Sequence, residues 1–346
     1  MDSKYIYGII DSGNENELGI SGLGSPSPVY TIAHEDLSCV VSNYSGKEFS
    51  SLSKEEVIRC LLTHQMVVEH VMKGRTVLPV KFGTVLPTSD EVRSLLSQGH
   101  SQFVEALAWI QDKVEIEVAA TWDTKQILQE ISIEPEIFLA SKAIAGRGQS
   151  TTQEQIGLGR IVKASIDKHR SGYREQMINF LASVAIDAQP NPLVSDEMVM
   201  NVAFLVDKSC QEEFDDCVKQ LNDLFHNQIN FRVIGPLPPY TFATVEVTRP
   251  SPEKIGGARE LLHLGKTFSE PEVRKAYRHL AAEIHPDYKA GDELELAKAQ
   301  FVKLHQASEM LITYCRGQGE SNGNLLVNIR RQRDEEIQHL FAEIGV

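Results

Sequence analysis

Long hydrophobic runs are absent from this sequence. No segment approaches the roughly 18 consecutive apolar residues that a membrane-spanning helix needs, so we expect no transmembrane helix. The first twenty residues, MDSKYIYGIIDSGNENELGI, have no basic region ahead of their short apolar patch, and we expect no signal peptide there. Cysteine is scarce as well: the five cysteines are scattered and form no CxxC pair. This pattern favours reduced thiols and predicts a cytoplasmic protein.

Basic residues are also fewer than acidic ones. The chain has 34 Lys and Arg against 48 Asp and Glu, which gives a net charge of −14. Binding to nucleic acids and to anionic membrane surfaces both depend on clustered basic residues. The charge balance therefore excludes a general nucleic-acid binder and a polybasic membrane-surface protein. An acidic surface of this kind favours protein partners.

The composition is otherwise that of an ordinary globular protein, with 42% hydrophobic and 24% charged residues, and 346 residues predict two or three domains. Ser53 followed by Glu56 predicts a capping box at the start of the first helix. Hydrophobic periodicity predicts the other elements. The predicted strands are 4–10, 29–33, 37–41, 76–86, 113–123, 198–206, 230–236 and 242–247. The predicted helices are 54–72, 88–111, 212–226 and a helical stretch over 151–188, which its three glycines leave open as one helix or two.

These elements predict an α+β fold class. Two α+β domains occupy residues 1–123 and 124–250, and the second is a candidate for a ferredoxin-like arrangement. After Pro250 and Pro252 the composition changes, and residues 253–315 are predicted to form a small all-helical module. Residues 316–346 are predicted to form a linker and an amphipathic tail helix from Leu325 to Ile344, which either docks on its own body or on a hydrophobic partner.

Four short segments of the first 250 residues carry a resemblance to a known family. They are YIYGI at 5–9, HEDL at 34–37, HQMVVEHVM at 64–72 with TVLPVKFGT at 76–84, and GPLPPYTF at 235–242. In this order and spacing they resemble the GvpF/GvpL family of gas vesicle proteins. Two features depart from the family pattern: residues 144–160 lack the segment that usually opens the long helix, and Leu237 stands where Trp is common.

The residues of these motifs admit two roles. In a structural role, Gly83 allows a sharp turn, the prolines hold an extended segment, and the aromatic residues supply apolar faces. In a binding role, the same residues frame an edge strand and a groove for the shell protein. The candidate residues are Pro79, Phe82, Gly83, Gly235, Pro236, Pro239, Tyr240 and Phe242.

A second resemblance lies in residues 258–315. VRKAYRHLA at 273–281 is followed by the tripeptide His285-Pro286-Asp287 and then by a helix with Phe301, Ala307 and Leu311. This order is similar to a J-domain (DnaJ-like). The resemblance implies that Arg274, Lys275 and Arg278 attract an acidic DnaK-type chaperone, and that His285, Pro286 and Asp287 form the loop that stimulates its ATPase. The alternative is a J-like helical hairpin that is retained for packing or for shell-protein contact.

Motifs of catalysis and of metal or cofactor binding are missing. The histidines of HQMVVEH are six residues apart, whereas a zinc-binding helix face needs a spacing of four. The segment GRGQSTTQEQIGLGR lacks the pattern of a phosphate-binding loop, and there is no G-x-S-x-G motif. We therefore predict no enzyme activity, no cofactor and no metal.

The resemblance implies an accessory protein of gas vesicle assembly, cytoplasmic and associated with gas vesicles. Such a protein binds the hydrophobic shell subunit and other gas vesicle proteins and aids vesicle nucleation or growth. A DnaK-type chaperone recruited through the J-like module would consume any ATP. Three alternatives remain open at this point: a minor structural component bound to the vesicle, a general J-domain co-chaperone, and a hydrolase.

Overall fold

The structure, a computed structural model, describes residues 3–24, 27–145, 151–225, 228–249, 251–284, 292–317 and 325–330. The chain divides into two compact units. The first combines Met1–Trp109 with Thr244–Arg330, and the second is built from Ile110–Ala243. Within the described residues, no helix has both the length and the apolar character that crossing a membrane requires.

The first unit is organised around a central strand, β1, in which every residue from Tyr5 to Ile10 is buried. Strand β4 pairs with one side of β1, and β5 and β6 pair in succession with the other side, all antiparallel. The sheet order is β2-β3-β4-β1-β5. The elements are β1 (Ser3–Asp11), β2 (Glu17–Ser21), β3 (Pro28–His34), β4 (Leu37–Tyr44), α1 (Lys54–Met72), β5 (Val77–Pro79), β6 (Val85–Leu86) and α2 (Ser89–Ile110).

The predicted capping box at the start of α1 is confirmed. The Ser53 hydroxyl accepts a hydrogen bond from the Glu56 backbone N–H at 3.3 Å, and the Glu56 carboxylate accepts one from the Ser53 N–H at 2.8 Å. Two of the N–H groups that a helix start leaves without intrahelical partners are thereby satisfied. The buried face of α1, which includes Leu61 and Val68, follows the predicted apolar stripe.

The single strand predicted over residues 76–86 is wrong in one respect. The structure has two short strands, β5 and β6, joined by a turn at residues 80–84. The physical reason is a turn that the Thr84 N–H closes by donating to the Lys81 carbonyl at 3.3 Å. Gly83 adopts a φ of +86°, a left-handed conformation that glycine reaches without steric cost.

The second unit confirms the ferredoxin-like prediction. Its elements follow the order β-α-β-β-α-β, and its antiparallel sheet has the order β10-β7-β9-β8. The described residues of the first crossover form three helices. The elements are β7 (Lys113–Trp122), α3 (Thr124–Ser132), α4 (Pro135–Ala145), α5 (Thr152–Ala182), β8 (Asp187–Pro190), β9 (Met198–Asp207), α6 (Gln211–Leu224) and β10 (Ile229–Leu237).

The core of the second unit lies on one face of this sheet. Alternate residues of β7 and β9, such as Ile116 and Phe204, point into it because side chains of a strand alternate between faces. Met177 and Leu181 of α5 and Phe214 of α6 cover them. The helix predicted over 151–188 is a single helix of 31 residues, and it starts with a capping box between Thr151 and Glu154. Helices α3 and α4 were not predicted.

The structure places the division between the units earlier than the predicted boundary at residue 123. Strand β7 pairs with β9 and β10, so residues 113–122 belong to the sheet of the second unit. The predicted domains 1–123 and 124–250 assign this strand to the first. The strand is identified correctly by its alternation, but its partners lie about 80 and 110 residues later in the chain, and local periodicity carries no information about them.

The C-terminal part confirms the predicted helical module and corrects the tail. The elements are β11 (Thr244–Thr248), α7 (Pro252–Leu261), α8 (Glu270–Glu283), α9 (Asp292–Gly317) and β12 (Leu326–Arg330). The predicted tail helix is wrong over residues 326–330, which form a strand paired with β11. The spacing of Leu326 and Ile329 fits one helix face, but the β-branched Val327 and Ile329 also suit a strand. The strand forms because β11 is available as a pairing partner. The rest of the predicted helix lies outside the described residues.

Candidate interaction surfaces

The LPVKFGT segment lies between two strands of the first unit. Pro79 pairs with Gly8 of β1, and the Val80 N–H donates to the Tyr7 carbonyl at 3.1 Å. The next N–H along the chain, that of Lys81, points to the opposite edge and donates to the Val245 carbonyl of β11 at 2.8 Å. The segment thus connects the edge of the six-stranded sheet to β11, and most of its backbone is engaged.

Gly83 and Phe82 are held by a buried polar and aromatic cluster. The Gly83 N–H donates to the Tyr5 hydroxyl at 3.1 Å, and this hydroxyl lies 2.9 Å from Nδ1 of His64. The half-buried Phe82 ring packs edge-on against Phe49, with ring centroids 5.1 Å apart. The structural role predicted for Gly83 and Phe82 therefore has direct support, since both complete the packing around Tyr5.

His64 is fully buried, and this fixes its charge state. Burial lowers the pKa of His64 from the ordinary value of 6.5 to about 3, because a desolvated imidazolium loses its hydration. The ring is therefore neutral at pH 7. The sequence motif HQMVVEHVM places His64 on the buried side of α1, whereas His70 of the same motif is exposed.

A shallow groove of about 480 Å³ opens beside Gly83. Tyr44 and Phe49 stack along it with ring centroids 5.4 Å apart and ring planes inclined by 9°. Lys47 and Glu48 are among its lining residues. The lining thus combines aromatic rings with charged groups, which suits an aromatic or aliphatic side chain of a protein partner. Sequence analysis missed Tyr44 and Phe49, although the aromatic residues that flank the turn-forming SGKE segment were an available signal.

The GPLPPYTF segment ends β10 and closes the second unit. Gly235 has a φ of +147°, and a Cβ at this position would lie 2.9 Å from the carbonyl oxygen of Glu115, so only glycine fits. The peptide bond between Gly235 and Pro236 is cis. Pro239 is buried, whereas Gly235 and Pro236 are exposed. Among the described residues, β10 pairs with β7 alone, so the exposed half of the motif lies on an edge strand.

A buried carboxylate holds the turn that follows. Glu115 is fully buried, and its two oxygens accept hydrogen bonds from the Thr241 N–H at 2.7 Å and the Thr241 hydroxyl at 2.8 Å. Phe242 then packs on Ala203 and Leu205, on the sheet face opposite the main core, and Tyr240 is half-buried. Sequence analysis missed Glu115, because alternation along β7 assigns it to a solvent-facing position.

Helix α8 presents the basic face that the sequence predicts. Arg274, Lys275 and Arg278 are all exposed, and Arg274 forms an ion pair with Glu270 at 2.7 Å. Residues 274, 275 and 278 lie on one side of the helix because residues three and four apart are neighbours on its surface. The predicted loop residues His285, Pro286 and Asp287 lie outside the described residues.

Helices α8 and α9 form an antiparallel pair. Phe268, just before α8, contacts Tyr314 near the end of α9, with ring centroids 6.0 Å apart. Tyr277, in the middle of α8, contacts His305 at 5.8 Å. Helix α7 completes the small core through Ala258 and Leu262, with Leu311 of α9 fully buried. The predicted helix, basic helix and antiparallel helix are therefore all present.

The second unit also exposes an apolar helix. Of the apolar side chains near α4, Ile133 is 79% exposed, Leu139 is 65% exposed and Phe138 is 50% exposed. Monomeric proteins seldom leave several large apolar side chains of one segment in water. Sequence analysis left residues 124–150 unassigned and did not identify this surface.

Glu35, Asp36 and His100 form the one group of possible metal ligands within the described part of the chain. His100 Nε2 lies 2.6 Å from the Asp36 carboxylate, and this hydrogen bond raises the pKa of His100 and lowers that of Asp36. Both carboxylates are about two-thirds exposed. His100 of α2 thus forms surface ion pairs with Asp36 and Glu35 of the HEDL turn.

The described residues thus hold two α+β parts, each with its own antiparallel sheet, which we call the body, and the helices α7, α8 and α9 of the first unit, which form a module of the J type. The DnaJ domain family matches residues 260–314. The family described as gas vesicle synthesis protein GvpL/GvpF matches residues 3–244, and the chain belongs to this family. Both resemblances stated from the sequence are confirmed.

Individual relatives agree with this assignment. The chain is 29% identical to gas vesicle protein F of Streptomyces sp. (strain CB03234) over 243 residues, which cover 69% of this chain and 99% of that protein. It is 26% identical to gas vesicle protein F of Microcystis aeruginosa (strain PCC 7806), covering 69% of this chain and 97% of that protein. The crystal structure of gas vesicle protein GvpF from Anabaena sp. PCC7120 shares the fold, with a TM-score of 0.61, 23% identity, and coverage of 70% of this chain and 98% of that one.

The buried state of His64 predicts a pH dependence of stability. Because its folded-state pKa lies below the ordinary 6.5, the stability from the neutral ring is present above pH 6.5 and is lost as the pH falls toward 3. The wild type should therefore lose about 3 kcal/mol of unfolding free energy relative to His64→Gln between pH 6.5 and pH 4. Urea unfolding across this range measures the difference. The exposed His70→Gln should follow the wild type, and parallel curves for His64→Gln and wild type would contradict the assignment.

The Glu115–Thr241 contact predicts a second effect on stability. Thr241→Val removes the hydroxyl that donates to the buried Glu115 carboxylate at 2.8 Å, which should cost about 1–3 kcal/mol of unfolding free energy. Hydrogen exchange of the β7 and β9 amides across a urea series measures this loss. Thr248→Val, at an exposed threonine, is the matched control and should change little. Equal exchange in both variants would show that Glu115 does not hold the turn.

Proposed function

We propose that this chain is an accessory protein of gas vesicle assembly that binds the hydrophobic shell subunit and recruits a DnaK-type chaperone to it. Binding keeps the subunit from aggregating and aids the nucleation or growth of the vesicle. The protein acts in the cytoplasm, in association with gas vesicles and other gas vesicle proteins.

One observation carries this proposal: a GvpL/GvpF body and a DnaJ module are joined in a single chain. A subunit that assembles into a shell exposes apolar surface before assembly, and such surface drives aggregation. A J-type module on the same chain brings the chaperone to a client that the body already holds. Linking the two functions raises the local concentration of each partner without any new contact.

The body offers two surfaces suited to an apolar partner. The groove beside Gly83 is lined in part by the stacked Tyr44 and Phe49 rings, and the α4 segment exposes Phe138 and Leu139. Aromatic side chains contribute large contact areas at interfaces. Within the GPLPPYTF motif, the exposed Gly235 and Pro236 on the edge strand support the contact role, whereas the buried Pro239 and Phe242 support the structural one.

The module offers a surface suited to an acidic partner. Lys275 and Arg278 on α8 are exposed, in a chain whose net charge is −14. A local basic face on an acidic protein directs an acidic chaperone to that face and away from the rest of the surface. His285, Pro286 and Asp287 would act as the stimulating loop. The chain itself needs no catalytic group and no cofactor in this scheme, because ATP hydrolysis belongs to the recruited chaperone.

The experiment that tests the proposal is a tagged pull-down from a gas-vesicle-forming cell. Wild type is compared with His285→Gln, and His279→Gln on the exposed surface of α8 is the matched control. The proposal predicts that all three recover the shell subunit and that only His285→Gln loses the DnaK-type chaperone.

Other outcomes of this pull-down separate the alternatives. Recovery of the shell subunit without a chaperone in any sample would reduce the module to a docking element. Recovery of many unrelated proteins would favour a general J-domain co-chaperone. Tight retention of the chain on washed vesicles would favour a minor structural component. Failure to recover any vesicle protein would overturn the proposal.

The basic face of α8 generates a prediction of its own. Lys275→Glu with Arg278→Glu should weaken binding of a DnaK-type chaperone about tenfold or more at low salt, and the difference should shrink as salt is raised. Calorimetric titration at two salt concentrations measures both effects. The same charge change on α5, Lys163→Glu with Lys168→Glu, is the control. Equal weakening by both pairs would show that net charge matters and the α8 face does not.

A further inference from the structure

Strands β11 and β12 lie on either side of the DnaJ module and pair with each other. β11 ends at Thr248, before the three helices, and β12 begins at Leu326, after them. The ladder is antiparallel and holds five residue pairs, from Thr244 opposite Arg330 to Thr248 opposite Leu326. The DnaJ match, residues 260–314, lies wholly between the two strands.

The pair is attached to the first unit through β11. Val245 bridges to Val80 on one edge of β11 and pairs with Ile329 on the other edge. The Val245 side chain is fully buried, and its carbonyl accepts the hydrogen bond from Lys81. A two-stranded ribbon is only marginally stable alone, so this third neighbour matters.

A charge cluster fixes the register of β12. Glu246 Oε1 accepts hydrogen bonds from Lys81 Nζ at 3.4 Å and from Arg330 Nη1 at 3.1 Å. Glu246 lies opposite Asn328, so Arg330 is its diagonal neighbour on the same face of the ribbon. A slip of one residue would move Arg330 to the other face and break this contact. The side chain of Leu325, just before the strand, is fully buried.

We propose that the β11 edge is a strand-binding site, that residues 326–330 of the same chain are its occupant, and that the resulting two-stranded clasp ties both ends of the DnaJ module to the first unit. The site takes an extended segment of alternating apolar residues with a basic residue that pairs with Glu246. The clasp rests on the ladder and the charge cluster, and it holds whether or not the proposed function is correct.

The consequence concerns how the module is attached. A J-type module tied at one end would move on a flexible connection, and its reach would be set by that connection alone. A module tied at both ends by adjacent strands stays within the reach of its shorter connection to β11 or β12 unless the ladder breaks.

The first test weakens the clasp in the full-length chain with Asn328→Pro and Ile329→Pro together. Successive amides of a strand point to opposite edges, so two adjacent prolines must remove one donor from the ladder. The control, Asn328→Thr with Ile329→Thr, keeps both donors. Hydrogen exchange of residues 244–248 should become at least tenfold faster in the proline variant and should change far less in the control. Unchanged exchange in the proline variant would overturn the proposal.

The second test leaves the backbone intact. Arg330→Glu places a like charge beside Glu246 and should speed exchange of residues 244–248 about tenfold, whereas Arg330→Lys should stay within about twofold of wild type. Amides of α8 and β1 report whether the rest of the chain is folded, and they should be unaffected in both variants. If the β11 amides of Arg330→Glu exchange as slowly as those of the wild type, the charge cluster does not fix the register of β12, and the proposal is overturned.

Discussion

The turn at residues 80–84 serves two neighbours at once, and the arrangement of the first unit depends on this. Val80 donates its N–H to β1, and one residue later Lys81 donates to β11. Successive amides of an extended strand point to opposite edges, so Val80 and Lys81 lie between β1 and β11 and hold both. Gly83 then ends this extended stretch, because its left-handed φ lets the chain turn and pair with β1 again at β6. The LPVKFGT motif is therefore the junction between the six-stranded sheet and the strand that leads to the DnaJ module.

The two family motifs, LPVKFGT and GPLPPYTF, each combine buried residues with exposed ones. Buried members such as Phe242 hold the fold, whereas Gly235 and Pro236 and the groove beside Gly83 remain open to partners. Membership of the GvpL/GvpF family and the presence of a DnaJ domain follow from the matched residues. The carrier role proposed from them combines open, partly apolar surfaces on the body with a basic helix on the module.

Local signals made much of this fold predictable. The capping box at Ser53, the alternation of β7 and the helices around the basic segment of α8 are encoded by residues close in sequence. Tertiary partners decided the rest. Leu326 and Ile329 fit a helix stripe but pair with β11, and Glu115 sits at a polar position of β7 but is buried by a turn 126 residues later. The groove is lined by Ser3, by residues 44–49, and by Gly83 with Val85, so it joins three segments that are far apart in the sequence.

The central claim is that one chain both shields the apolar shell subunit and delivers it to a DnaK-type chaperone. The most direct measurement is light scattering after the shell subunit is diluted from denaturant into buffer that contains an equimolar amount of this protein. The account predicts suppressed scattering with the protein alone, followed by ATP-dependent transfer of the subunit when the chaperone is added. Scattering as strong as that of the subunit in buffer would contradict the claim at its first step.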